Sequence, residues 1–115
     1  MRLTLQVQLT MRVLLGEPDG ELYGLELVDA TGLPPGTIYP IMARLEGAGW
    51  VTSRWEETGP EAMGRPRRRY YRLTADGVAR AREALAASDA RRRGRRGRRA
   101  VGGALPGDAL PGGAS

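Results

Sequence analysis

The sequence predicts a small, mainly α-helical domain with one β-hairpin, and three observations carry that reading. Ile38, Ile41, Met42 and Leu45 recur behind Pro34-Pro35, in the i, i+3, i+4, i+7 spacing of one buried helix face. Trp50 to Trp55 and Arg67 to Leu73 are aromatic and β-branched runs separated by Thr58, Gly59, Pro60, Gly64 and Pro66, the texture of two strands joined by a loop. An Ala-rich stretch follows Thr74, a residue type that caps helix starts. In 115 residues these elements make one domain around one modest core.

The elements follow in order. From Leu3 to Val13 every second residue is apolar, which by period alone reads as a strand. The same stretch also sets Leu3, Val7, Met11 and Leu14 on one helical stripe, so the pattern leaves strand and helix open. Gly16, Pro18, Asp19 and Gly20 mark a turn. Leu22, Leu25 and Val28 then share a helix face with Leu27 beside them, and Thr31-Gly32 end it. The next helix begins at Pro34-Pro35, where a missing N–H costs nothing, and runs to Gly47-Ala48-Gly49. Pro40 inside it is expected to remove one backbone bond and bend its start. Helix, glycine-containing break and helix at this spacing read as helix-turn-helix. After the hairpin, the Ala-rich helix runs from Thr74 to about Arg93. Residues 94–115 hold seven Gly, two Pro and one acid, which predicts a disordered tail.

Composition excludes more than it assigns. The chain has no Cys and no His, which removes disulfides, thiolate or imidazole metal sites and every Cys or His catalytic arrangement. No paired carboxylates, phosphate-binding Gly loop or nucleophile–base set stands out either, so no enzyme, metal site or cofactor is expected. No apolar run approaches a membrane span and the N-terminus is broken by polar residues, so a cytoplasmic protein without membrane attachment is expected. All 18 basic residues are Arg and none is Lys, a sign of codon bias, so the placement of the charge says more than its amount. Residues 1–57 carry four Arg against eight acids, and residues 58–115 carry fourteen Arg against five. An asymmetry of −4 against +9 points to a polyanionic partner, nucleic acid first and an anionic membrane surface second.

Helix, helix, helix, hairpin, helix is the order of a winged helix. Tyr23-Gly24-Leu25-Glu26-Leu27, Gly36-Thr37-Ile38-Tyr39-Pro40, Arg44-Leu45-Glu46 with Gly49, and Gly64-Arg65-Pro66 with Tyr70-Tyr71-Arg72-Leu73-Thr74 together closely resemble the PadR family of bacterial transcriptional regulators, over roughly residues 3–85. The resemblance implies a winged helix-turn-helix with a C-terminal dimerisation helix. It makes Leu3–Leu15 a helix, and it implies homodimers, built on the first and last helices, that bind palindromic operators in double-stranded DNA as repressors. The expected division is a winged-helix DNA-binding domain at 1–74, a dimerisation helix at 75–93 and an Arg/Gly/Pro-rich tail at 94–115.

The family's recognition helix maps onto residues 36–48, where Thr37, Tyr39 and Arg44 match DNA-facing positions. A helix N-terminus aimed at DNA offers N–H groups to a phosphate, Tyr39 offers a hydroxyl, and Arg44 can reach a base edge or a phosphate. The competing reading packs Tyr39 on the domain and pairs Arg44 with carboxylates. Arg65, Arg67, Arg68 and Arg69 surround the Gly-Pro loop of the wing and can follow a phosphate backbone or enter the minor groove. Strand alternation puts Arg67, Arg69 and Tyr71 on one side and Arg68, Tyr70 and Arg72 on the other, so at least one of these Arg residues is dispensable for DNA. Trp50 is expected in the core, while Trp55 either supports the wing or lines an aromatic effector pocket.

Two features depart from the family. The last helix has only Val78 and Leu85 as large apolar residues, a thin dimer element. Leu5, Leu9 and Val13 lie opposite the Leu3, Val7, Met11 and Leu14 stripe, and a helix that is apolar on two sides buries one in its own core and the other against a partner. The dimer interface is therefore placed on Leu5, Leu9, Val13, Val78 and Leu85. The other departure is the run Arg91, Arg92, Arg93, Arg95, Arg96, Arg98 and Arg99, read either as a solvated tail or as a nonspecific DNA-binding arm. Two functions follow: a sequence-specific dimeric repressor answering to an unnamed small-molecule effector, or a winged-helix protein that binds RNA or DNA without sequence preference through its basic tail.

Overall fold

The computed structural model describes residues 1–57 and 64–104, with side chains up to Gly97. Its elements are α1 (Leu5–Leu15), β1 (Leu22–Tyr23), α2 (Gly24–Thr31), α3 (Pro35–Gly47), β2 (Val51–Trp55), β3 (Arg69–Leu73) and α4 (Ala75–Ala104). The chain divides into two compact units, Met1–Arg82 and Glu83–Ser115.

The first segment is a helix. Thr4 caps it, its hydroxyl accepting from the Val7 N–H at 3.2 Å, which satisfies one of the donors a helix start leaves open. Of the alternate apolar residues, Val7 and Met11 are buried, while Leu5 is 69% and Leu9 44% exposed. Thr10 and Gln8 are buried among the core residues instead, and their polar groups are met locally. The Thr10 hydroxyl donates to Gln6 O at 2.9 Å and the Gln8 amide to Leu3 O at 3.0 Å. The strand-like alternation thus arises from a helix with two apolar faces, one of which also carries local polar bonds.

The second helix starts later than its pattern implies. Leu22 and Tyr23 form a short strand that pairs antiparallel with β3, Leu22 opposite Tyr71 and Tyr23 opposite Tyr70. The Tyr23 N–H donates to Glu26 Oε1 at 3.0 Å across the first turn of α2, which fixes the entry of the chain into the helix. α2 buries Gly24 and Leu27, the latter at 0% exposure, whereas Leu25 is 56% exposed. Leu22 is taken by the sheet, and so the face drawn through Leu22, Leu25 and Val28 is not the core face. Gly32 ends α2 with φ +74°, a left-handed conformation that glycine adopts without a Cβ penalty.

Three residues later α3 begins at Pro35, and its stripe of Ile38, Ile41, Met42 and Leu45 is buried throughout. α2 packs against both α1 and α3, and α3 packs on β2. The sheet has the order β1-β3-β2, with Val51 opposite Leu73 and Trp55 opposite Arg69. Val51, Tyr71 and Leu73 turn inward to close the core, and burial pushes the Tyr71 hydroxyl above its ordinary pKa. Trp50 is only half-buried; its backbone does more, since Trp50 O accepts from the Thr74 N–H at 3.0 Å. The Thr74 hydroxyl accepts from the Gly77 N–H at 2.9 Å and donates to Gly49 O at 2.8 Å, fastening the start of α4 to the end of α3.

The last helix is longer than expected. It runs through residues 94–104, which the glycine content had assigned to a disordered tail. Arg is nearly as good a helix former as Ala, whereas each glycine costs only about 1 kcal/mol, so Gly94 and Gly97 do not stop a helix already started. The remainder of the expected tail, 105–115, and the loop residues 58–63 lie outside the described residues.

Candidate nucleic-acid interface

The faces of α3 follow from its buried stripe. At about 100° per residue, the direction opposite Ile38, Ile41, Met42 and Leu45 is occupied by Gly36, Pro40, Ala43 and Gly47, all exposed. Tyr39 and Glu46 flank this strip on one side. Thr37 and Arg44 flank it on the other, about 140° around the helix from Tyr39. The three α3 residues marked by sequence are therefore not one patch; they border a strip of small side chains that lets the helix backbone approach a surface closely. Arg44 is exposed and Thr37 half-buried. The start of α3 is less open than a helix N-terminus usually is. Pro35 has no N–H, and Thr37 and Ile38 both donate to Pro34 O, at 2.9 and 3.0 Å.

Tyr39 packs on the domain without being buried. It is 43% exposed, yet the end of its ring lies against the backbone of Gly24, where an added Cβ would stand 2.1 Å from the Tyr39 hydroxyl. Packing thus aims the ring rather than hiding it. Together with Leu25 and Trp55, both at least half-exposed, Tyr39 lines an open groove of about 470 Å³ whose other walls are Tyr23, Gly24, Arg65, Pro66, Arg67, Arg68 and Arg69. Tyr39 of α3 and residues 65–69 of the wing border the same concavity.

Each wing arginine has its own support. Arg65 forms a two-pronged pair with Glu56, Nη1 to Oε1 at 2.8 Å and Nη2 to Oε2 at 3.2 Å. Glu56 Oε1 also accepts from the Arg68 N–H at 2.6 Å, and the Glu56 N–H donates to Arg68 O at 2.9 Å. The Arg65 guanidinium, followed by the Arg68 amide, brings the Glu56 carboxyl down to about 2 from its ordinary 4.5. This buckle closes the base of the wing. Arg69 lies 5.2 Å from the Trp55 ring centroid, donates to Ser53 Oγ at 3.0 Å, and meets Glu46 Oε1 at 3.4 Å. Arg67 lies 5.7 Å from the same indole and is exposed.

The opposite face of the sheet carries a second ladder. Arg68 lies over Tyr23 at 4.0 Å, Tyr23 meets Tyr70 edge-on at 5.7 Å, and Arg54 lies over Tyr70 at 4.9 Å. Arg54 in turn pairs with Glu21 through two bonds of 2.8 and 2.7 Å, which holds the Glu21 carboxyl below its usual range. A planar guanidinium against an aromatic face keeps its edge donors available, so stacking orients Arg67 and Arg68 without consuming their charge. Arg65 and Arg69, engaged with carboxylates, are structural as well as cationic. Sequence reasoning missed Glu56, Glu46, Tyr23 and Gly24 as parts of this surface. Glu56 does carry a signal, as an acid at the mouth of an Arg-rich hairpin; the other three are joined to the site only by tertiary packing.

A model of the PadR-like family of transcriptional regulators matches residues 13–83. The chain belongs to this family. A PadR family transcriptional regulator from Eggerthella lenta is 33% identical, with 78% of this chain and 82% of that one covered at a TM-score of 0.61. A transcriptional regulator from Clostridium thermocellum is 26% identical over 76% of this chain and 84% of that one, with a TM-score of 0.58. A PadR family regulator from Clostridium difficile shares the fold at 21% identity and a TM-score of 0.60, covering 76% and 91% of the two chains. The comparison with curated proteins returned no match. As a PadR-like chain, this is a winged-helix DNA-binding regulator rather than an enzyme. Among the described residues no group of His, Cys, Asp and Glu could hold a metal ion, and no helix is long and apolar enough to cross a membrane.

Proposed function

We propose that the chain is a sequence-specific repressor that acts as a homodimer on a palindromic operator. The observation that carries this reading is the shared groove: Tyr39 on α3 and Arg67, Arg68 and Arg69 of the wing border one concavity beside the exposed small-residue strip of α3. In this reading the strip enters the major groove, Tyr39 and Arg44 meet its two walls, and the wing follows the adjacent backbone. Thr37 stands beside Arg44 at the same wall. Arg65 contributes by holding the wing in shape.

The dimer rests on α1. Leu5 and Leu9 present apolar side chains to solvent, with Val13 half-buried beside them, and covering such a face gains roughly 25 cal/mol per Å². Val78 is half-buried, whereas Leu85 is already 6% exposed in the single chain and adds little new apolar area. Two-fold pairing then sets half-sites about one helical turn apart.

Selection of bound duplexes from a random pool tests the whole reading. A repressor of this kind enriches a palindrome and holds it against excess unrelated DNA; a pool that stays random after selection overturns it. Arg44→Ala is expected to weaken the selected operator about 5- to 100-fold, the range of one good base or phosphate contact, in a mobility-shift titration.

A further inference from the structure

The arginine run beyond residue 90 lies on a helix, and four of its cations share one face. Between Glu83 and Arg99 the sequence holds seven Arg against two acids. Arg92 pairs with Asp89, and Arg91, Arg93, Arg95 and Arg96 are exposed. At about 100° per residue, Arg91, Arg92, Arg95 and Arg96 fall within one face roughly 140° wide, and Arg93 stands about 60° beyond its edge. The other side carries Ala86, Ala87, Ala90, Gly94 and Gly97. Arg91 and Arg95, one turn apart, flank a shallow concavity of about 340 Å³ lined also by Ala90 and Gly94, where the small side chains leave room beside the two cations.

Such a helix is strained by its own charge. Arg91 and Arg95, Arg92 and Arg96, and Arg92 and Arg95 are like-charged neighbours at i, i+4 or i, i+3, each pair costing a few tenths of a kcal/mol in an isolated helix, and two glycines add to the cost. A polyanion running along the cationic face reverses the sign of that term. Insertion into a membrane surface needs large apolar side chains opposite the charges, and from Glu83 through residue 97 that side has none, only Ala, Gly, Glu83 and Arg93.

We propose that residues 91–96 of α4 form a second, sequence-independent contact with the sugar–phosphate backbone of duplex DNA, separate from α3 and the wing. The contact raises affinity for any duplex by neutralising phosphates and releasing counterions, and leaves the choice of sequence to α3.

The test replaces Arg91, Arg93, Arg95 and Arg96 together by Gln in the full chain, a change that keeps helix propensity, with circular dichroism to confirm retained helix. Binding of both proteins to the selected operator and to an unrelated duplex is titrated across salt. The proposal expects affinity near 0.1 M salt to fall about 10- to 100-fold on both duplexes, the log–log salt slope to drop by about 2 to 4, and the ratio between duplexes to stay constant. An unchanged slope and affinity overturns it, as does loss confined to phosphatidylglycerol vesicles with duplex binding intact. If no operator can be selected, the repressor reading fails, yet the slope on the unrelated duplex still decides this contact. A parent protein that binds neither duplex overturns both.

Discussion

At Gly24 the space a side chain would fill is taken by the ring of Tyr39, whose Cε1 and Cζ atoms would stand 2.6 Å from an added Cβ. Because the obstacle is the far end of a side chain and not backbone, Gly24→Ala is expected to leave the fold intact and swing Tyr39 out of its groove. Operator affinity should fall about tenfold, as it should for Tyr39→Ala, and the double variant should lose no more than Tyr39→Ala alone, since residues in contact do not act additively. Full additivity in binding titrations would separate the two positions. Glu56 is the other residue whose neighbours set its behaviour. Its folded pKa lies below the ordinary value, so its pairing stabilises the wing fully above about pH 4.5 and is lost as pH falls toward about 2. A carboxyl-carbon NMR titration should place its midpoint near 2, and in Arg65→Gln, which removes the largest cause, the midpoint should move back toward 4.5.

At the scale of elements, Gly77 sets how closely α4 crosses the start of β2. A Cβ there would stand 1.9 Å from the Trp50 carbonyl oxygen, a backbone atom that also accepts from the Thr74 N–H. Gly77→Ala therefore forces the two elements apart and should cost about 1–3 kcal/mol, read as a lower midpoint in urea unfolding. The outward strip of α3 makes a different demand. Gly36, Pro40, Ala43 and Gly47 have no side-chain hydrogen-bonding group, so at the centre of the helix the contact left for a base is the Ala43 methyl against a thymine methyl. Replacing thymine by uracil in the selected operator should weaken binding several-fold, and Ala43→Gly should abolish the difference. Equal affinity of the parent protein for both duplexes would exclude this contact. The stripe of α3 was legible in the sequence because its period is unbroken and nothing polar interrupts it. α1 was not, because a second apolar face and the buried Thr10 and Gln8 counterfeit a strand period, and β1 was hidden because two residues carry no period at all. The Arg residues of the wing could be named from sequence, but which of them are tied down depends on Glu46, Glu56 and Trp55, brought together by the register of β2 and β3.

Across the whole molecule, charge is divided along the sequence, −4 over residues 1–57 and +9 over residues 58–115. The acidic half carries the exposed Leu5 and Leu9, and the cations collect at the wing and along α4. In Leu5→Glu/Leu9→Glu two buried-upon-pairing apolar groups become charges, so sedimentation should show a monomer where the parent chain is a dimer, with an unchanged circular dichroism spectrum. A parent chain that is itself monomeric at micromolar concentration would remove the α1 interface. The cations stacked along the wing are all guanidinium groups, and no residue of the chain is Lys. A guanidinium remains protonated throughout the pH range of a cell and so presents no nucleophilic lone pair. Reagents that fix proteins to DNA through a lysine amine, formaldehyde among them, find none on this surface. A complex that is tight in titration should then be recovered poorly by such crosslinking, while ultraviolet capture through Trp55 or Tyr39 remains open to it.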